Sequence, residues 1–272
     1  MTTDREELAY QQALRYAQEL RELYDREREA ARQVEERREK RRVIQERLSG
    51  GLRAVFQPIV DLRDDSVVGM EALARFDGDP PRGPDVWFRE AAEVGLSTEL
   101  ELEAIRIALA RFDEMRDGSF LSLNISPSTI MSPGFMRTID GFQLDRIVIE
   151  VTEHAPVSDY DGLAVSLTPF RAGGGRLAVD DAGAGFASLT HVLALGPDII
   201  KLDITLTRNI DSDKARRALA TAMISFAHEI GASMVAEGIE TSEECETLKG
   251  LGVSHGQGYF LGRPGELAIG WA

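Results

Sequence analysis

The stretch RLAVDDAG, residues 176–183, is a short apolar run that stops on two adjacent acids, Asp180 and Asp181. A buried parallel strand has this look when its carboxyl end carries function. Five other runs repeat the pattern: VVGMEALAR with Glu71, FLSLNIS with Asn124, RIVIEVTE with Glu150 and Glu153, DIIKLD with Lys201 and Asp203, and SMVAEG with Glu237. From Glu71 the steps to Asn124, Glu150, Asp180, Lys201 and Glu237 are 53, 26, 30, 21 and 36 residues, each close to one strand, one helix and two short loops. The long first step has room for two helices, and it holds two amphipathic segments, VWFREAAEVG and LELEAIRIALARFDEM. About eight such repeats in roughly 220 residues predict a closed α/β barrel of the (β/α)8 TIM type. In a barrel all parallel carboxyl ends share one mouth, whereas the alternative, an open doubly wound sheet, would spread these residues along an edge.

A chain of 272 residues with 43% hydrophobic content is long enough for one large core. No apolar run reaches the 18 or so residues of a membrane span, and the amino terminus lacks the apolar centre of a secretory signal, so a cytoplasmic location is expected. The single cysteine, Cys245, sits in the polar segment TSEECETLKG and excludes an intrachain disulfide. The net charge of −15 is uneven: residues 1–50 hold 12 basic and 12 acidic residues, leaving 19 and 34 for the remainder. So acidic a domain is a poor match for a DNA or RNA polymer.

Residues 1–48 contain no Gly or Pro and stop at Ser49-Gly50-Gly51, a helix end and short hinge. The heptad series Ala9, Ala13, Tyr16, Leu20, Leu23, Glu27, Ala30, Val34, Arg37, Arg41, Ile44, Leu48 is apolar at nine of twelve positions. That predicts a long coiled-coil-like helix, dimerising or docking a protein partner, with a solvated helix held by i to i+4 ion pairs as the alternative. The division expected is 1–50 helix and 51–272 barrel.

The strand-end residues are hard oxygen ligands, and none of His154, His191, His228 or His255 has the spacing of a zinc site. Oxygen sets of this kind suit Mg²⁺ or Mn²⁺, and five carboxylates with adjacent Asp180 and Asp181 suggest two ions. Two divalent ions close together suit in-line cleavage of a phosphodiester, with Lys201 able to orient or deprotonate the water or to stabilise phosphate charge. The segment 181–186, DAGAGF, reads as a short flexible loop beside the acids that senses metal or substrate.

Phe56-Gln57-Pro58-Ile59-Val60, Glu71-Ala72-Leu73-Ala74-Arg75, Asn124, Glu150 to Glu153, Asp180-Asp181, Lys201-Leu202-Asp203, Glu237-Gly238-Ile239-Glu240 and Gln257-Gly258-Tyr259, in this order, resemble the EAL-domain phosphodiesterases of cyclic di-GMP. The resemblance covers about residues 52–265. It implies a (β/α)8-type barrel with one antiparallel strand, FQPIVDL, paired with VVGMEALAR across the turn at Arg63-Asp64-Asp65-Ser66. By the same resemblance one metal would be held by Glu71, Asn124, Glu150 and Asp180, and a second by Asp180, Asp181 and Glu237. Lys201 would contact the catalytic water, with Gln257 and Glu240 lining the metal site. Glu153 would steady the loop that carries Gly183 and Gly185, and Gln57, Arg75, Asp203 and Gln257 would lie on the substrate side. The implied reaction is hydrolysis of cyclic di-GMP to linear 5′-pGpG, in a homodimer formed through barrel or helix. The alternatives are a silent cyclic di-GMP receptor and a scaffold signalling through the helix. One departure is visible: many members have Asp-Phe-Gly where this chain has Asp181-Ala182-Gly183.

Overall fold

The computed structural model describes residues 3–78, 81–152, 157, 159–182 and 188–267. Eight strands close into one barrel in sequence order: β1 Leu52–Asp61, β2 Val67–Phe76, β3 Phe120–Asn124, β4 Ile147–Thr152, β5 Arg176–Ala182, β6 Ile199–Leu202, β7 Ser233–Ala236 and β8 His255–Gly256. Neighbours from β2 to β8 run parallel, while β1 is antiparallel to both β2 and β8. This is the expected TIM-type barrel with one reversed strand.

Helices α1 Thr3–Leu48, α2 Pro84–Val94, α3 Ser97–Leu109, α4 Pro127–Ile130, α5 Pro133–Ile139, α6 Tyr160–Ala172, α7 Ser188–Leu195, α8 Ile204–Thr207, α9 Lys214–Glu229 and α10 Ser242–Gly250 make the crossovers and the amino-terminal arm. The two amphipathic segments of the long first gap are α2 and α3. Local chemistry sets their limits. α2 starts on Pro84, whose missing N–H costs nothing there, and ends at Gly95 with φ 70°, a left-handed cap. α10 opens with a capping box between Thr241 and Glu244. Cys245 lies buried in α10, and burial pushes its thiol pKa up, consistent with an inert packing role.

Side chains two residues apart on a strand share a face, so the barrel lumen fills in layers. One layer is hydrocarbon: Ile59, Phe120, Val148, Ala178, Ile199 and Val235 form a single buried cluster. Gly69 belongs to this layer because a Cβ there would lie 2.5 Å from the Phe120 ring. Two residues nearer the mouth on each strand stand Gln57, Glu71, Ser122, Glu150, Asp180, Lys201 and Glu237. The outer faces of the strands build the main core against the helices.

α1 ends at Leu48, as its Gly-free sequence predicts, and its last turns pack against the barrel unit. Ile44 is fully buried among Trp87, Ala91, Val94, Leu96 and Leu100, with Val43 and Leu48 alongside. Lys40 pairs with Glu93 at 2.6 Å, and Arg41 donates to the Val94 carbonyl at 2.8 Å. Trp87 stacks on Phe76, the last residue of β2, at 5.2 Å between ring centroids. Farther along the helix Tyr16, Leu20, Leu23, Tyr24 and Val34 are exposed.

Candidate active site

Lys201 is 1% exposed, and it organises the polar layer. Its Nζ lies 2.7 Å from Glu150 Oε2, 2.8 Å from Glu237 Oε1, 3.1 Å from Asp180 Oδ1 and 3.6 Å from Glu71 Oε2. Four strand ends far apart in sequence are thus gathered on one ammonium. Burial alone would lower the lysine pKa, but the charges of Glu150, Glu237, Glu71 and Asp180 outweigh it and hold the group well above the usual lysine range. With no cation among these carboxylates, Lys201 is held as an ammonium that donates hydrogen bonds and positive charge to them. Burial, reinforced by the Glu71 charge and opposed by Lys201, pushes the Glu150 carboxyl up to about 8. Burial likewise raises Glu237 well above the ordinary carboxylate range.

Neutral donors fix the remaining carboxylate oxygens. Glu71 Oε1 accepts from Asn124 Nδ2 and its Oε2 from Gln257 Nε2, both at 2.7 Å. The Gln257 amide also reaches Gln57 Oε1 at 3.2 Å, and Gln57 donates to the Gly262 carbonyl at 3.1 Å. Gln257 keeps this position because Gly258 lets the chain pass against Ile239. A Cβ at 258 would fall 2.2 Å from the Ile239 backbone.

Consecutive strand residues should face opposite sides, yet Asp180 and Asp181 both reach the mouth. The pairing of β5 with β6 shifts register between Val179 and Ala182, and Asp181 takes the left-handed φ of 59°, uncommon for a non-glycine residue. As a result, ligand oxygens of Asp180, Asp181 and Glu237 all lie within 4.8 Å of one another. Three converging carboxylates, with Glu71 and Glu150 behind them, offer hard oxygen donors for divalent cations. Lys201 is shared among Glu71, Glu150, Asp180 and Glu237, so the carboxylates outnumber the ammonium that they surround. The donor set therefore fits the expected ions.

A cavity of about 230 Å³ opens beside this cluster, lined by Gln57, Glu71, Glu237, Gln257, Ile204 and Tyr259, among others. Arg75 and Asn124 instead line a second, more apolar cavity of about 390 Å³ with Leu73, Phe88 and Ile105. Arg75 is half-buried and donates to the Ala74 carbonyl at 2.8 Å. Asp203 caps α8, accepting from Thr205 N at 2.8 Å, so it holds the turn that sets Ile204 in the mouth. Glu240 is exposed at the rim and ion-paired to Arg208. Ala182, the departure from the family pattern that the resemblance implies, is fully buried in the main core. Glu153, His154, Gly183 and Gly185 lie outside the described residues.

Two contributors escape the motif reading. Ser122, fully buried, donates its hydroxyl to Glu150 Oε1. Glu101 of α3 accepts at 2.8 Å from both the backbone N–H and the hydroxyl of Ser126, fixing the turn just after Asn124. The signal for Ser122 was its place two residues before Asn124 on one strand face. Glu101 had none, because it lies on a different element.

An EAL domain profile matches residues 41–264. An uncharacterized signaling protein of Caulobacter vibrioides is 31% identical over 218 residues, spanning 77% of this chain and 27% of that protein. An uncharacterized protein of Mycobacterium tuberculosis is 30% identical over 227 residues, 77% of this chain and 74% of that one. Against the first curated relatives it matches, the chain spans about a third of their length. Among solved structures, the manganese and cyclic di-GMP complex of BlrP1 from Klebsiella pneumoniae is similar, with 30% identity, TM-score 0.69, and coverage of 79% of this chain and 56% of that one. A cyclic di-GMP-bound standalone EAL protein from Vibrio cholerae has 26% identity and TM-score 0.67, covering 79% of this chain and 92% of its own. The closed barrel with one reversed strand, its acid-lined mouth and the profile match over most of the sequence lead to one assignment: the chain belongs to the EAL domain family.

Proposed function

We propose that this chain is a metal-dependent phosphodiesterase that hydrolyses cyclic di-GMP to linear 5′-pGpG in bacterial second-messenger signalling. The observation that carries this reading is the convergence of Glu71, Glu150, Asp180, Asp181 and Glu237 around Lys201, with three of the acids close enough to share a cation site. Related EAL structures that hold manganese or calcium together with cyclic di-GMP support it. In this reading Glu71, Asn124, Glu150 and Asp180 hold one Mg²⁺ or Mn²⁺, and Asp180, Asp181 and Glu237 hold another. The bound ions supply Lewis-acid charge for the phosphate oxygens and the attacking water.

The chain's own groups do the rest. Lys201 orients the water or donates toward the phosphate and stabilises negative charge that grows in the transition state. Gln257 and Asn124 hold Glu71 in one orientation. Arg75, at the mouth end of β2, offers a planar cation for a phosphate, and Gln57 and Tyr259 wall the cavity beside the acids. Asp203 and Glu240 position the surrounding turns. Outside the barrel, the exposed stripe of Tyr16, Leu20, Leu23 and Val34 on α1 is assigned to pairing with a second copy or with a protein partner. Among the described residues, no helix is long and apolar enough to cross a membrane.

The deciding experiment incubates the full chain with cyclic di-GMP and Mg²⁺ or Mn²⁺ and follows pGpG, with Glu71→Ala alongside. Metal-dependent pGpG formation lost in Glu71→Ala is expected. Retained binding of cyclic di-GMP with no turnover in either protein would replace the enzyme by a receptor.

A further inference from the structure

Each carboxylate of the polar layer other than Glu237 is met by a neutral donor as well as by Lys201 or its neighbours. Glu71 has the amides of Asn124 and Gln257, and Asp180 Oδ1 accepts from the Asp181 backbone N–H at 3.0 Å. Glu150 has Ser122. The two oxygens of Glu150 are divided: Oε2 faces Lys201 at 2.7 Å, and Oε1 takes the Ser122 hydroxyl. Lys201 is shared among four carboxylates, and on Glu150 it holds only Oε2. Ser122 makes its only side-chain hydrogen bond described here to Glu150, from the neighbouring strand β3, and is fully buried.

The position has no packing reason to be polar. Ser122 pairs across the sheet with Glu71 on one side and Val148 on the other, directly above the hydrocarbon layer that Phe120 begins two residues earlier. An alanine or valine would continue that layer. A fully buried hydroxyl costs free energy unless it is hydrogen-bonded, and the bond it makes is to an acid expected to hold metal.

We propose that Ser122 is a positioning residue for the metal site: its hydroxyl pins Glu150 Oε1 and leaves the other oxygen turned toward the centre of the acid cluster. The inference rests on the metal-dependent reading of the site and deepens it. A ligand's outer hydrogen-bond partner typically changes metal affinity about 10- to 100-fold when removed. Ser122 acts through Glu150, so its effect exists only while Glu150 is a carboxylate.

The test measures Mn²⁺ binding by calorimetry and by the free-ion electron paramagnetic resonance signal, using the full chain without substrate. The proteins are wild type, Ser122→Ala, Ser122→Thr, Glu150→Gln, Glu71→Ala and the double variant Ser122→Ala with Glu150→Gln. Thermal unfolding of each metal-free protein shows that it folds. Expected are about a 10- to 100-fold weaker Mn²⁺ affinity for Ser122→Ala, near wild-type affinity for the hydroxyl-bearing Ser122→Thr, and no further loss from Ser122→Ala once residue 150 is glutamine. Affinity within twofold of wild type in Ser122→Ala, or an equal loss in both backgrounds, overturns the role of Ser122 while leaving the metal site intact. If Glu71→Ala and Glu150→Gln also bind Mn²⁺ as wild type does, the metal-dependent reading itself falls and takes the role of Ser122 with it.

Discussion

Two layers of the same lumen, one residue pair apart, follow opposite rules. The lower layer, Ile59 to Val235, is dry hydrocarbon closed around Phe120, with Gly69 left bare to admit its ring. The upper layer crowds four carboxylates within 4 Å of one ammonium, with a fifth, Asp181, close by. Strand geometry is common to both, so the difference lies in what each layer is for. Hydrocarbon in the lower layer stabilises the barrel at every pH and metal concentration. The upper layer opposes folding on its own, because burying like charges is expensive, and its stability is conditional on protons or cations.

Replacing Lys201 gives the largest expected break. Lys201→Met should lower pGpG formation by on the order of 10²- to 10³-fold and destabilise the metal-free protein by roughly 3–5 kcal/mol. Mn²⁺ should restore melting temperature but not turnover, which steady-state kinetics beside thermal unfolding would show. A rate within tenfold of wild type would remove Lys201 from the chemistry. In the lower layer, Phe120→Ala should cost about 3–5 kcal/mol in denaturant unfolding, yet leave Mn²⁺ affinity and kcat of the folded fraction near wild type. If catalysis falls with stability, the layers are not separable.

The proton and metal dependence sharpens the same contrast. Glu150, raised from 4.5 to about 8, and Glu237, also raised, bind more protons folded than unfolded as pH climbs from about 4.5 through 8. The metal-free protein should therefore lose stability across that window. Melting in EDTA should fall by several degrees from pH 5 to pH 8, and Mn²⁺ should offset most of the fall at pH 8. A flat profile in EDTA would mean that the upper layer is already neutralised some other way. Arg75→Ala should give the smallest effect, since Arg75 stands above both layers at the rim. KM for cyclic di-GMP should rise roughly tenfold with kcat nearly unchanged, as expected for a lost charged hydrogen bond of about 1.5 kcal/mol.

Much of the upper layer was legible because each strand announces it with an apolar run that ends in a polar group. The spacing of those ends gave the barrel, and the long gap after Glu71 gave α2 and α3. What was not legible depends on backbone detail or on distant packing. Nothing in the string Asp180-Asp181 shows that a register shift and a left-handed residue turn both side chains to the mouth. The resemblance puts Asp203 on the substrate side, and the sequence does not show that its carboxylate also caps α8. Ser122 passed as an ordinary small residue, since a hydroxyl reveals its role only through the partner on the next strand. Of the heptad series in α1, Arg41, Ile44 and Leu48 meet a surface while Tyr16, Leu20, Leu23 and Val34 are exposed. That surface is the barrel's own α2 and α3.

The reversal of β1 decides where the amino-terminal arm meets the barrel. A strand running with the others would receive its chain at the closed end of the barrel. Because β1 runs the other way, Leu52 pairs with Phe76 at the carboxyl end of β2, and α1 is delivered to the same face as the acids. The helix seats itself beside Trp87, which stacks on Phe76, one residue past Arg75. The arm and the acid cluster therefore share one end of the molecule, with only the tip of β2 between the arm's seat and Arg75.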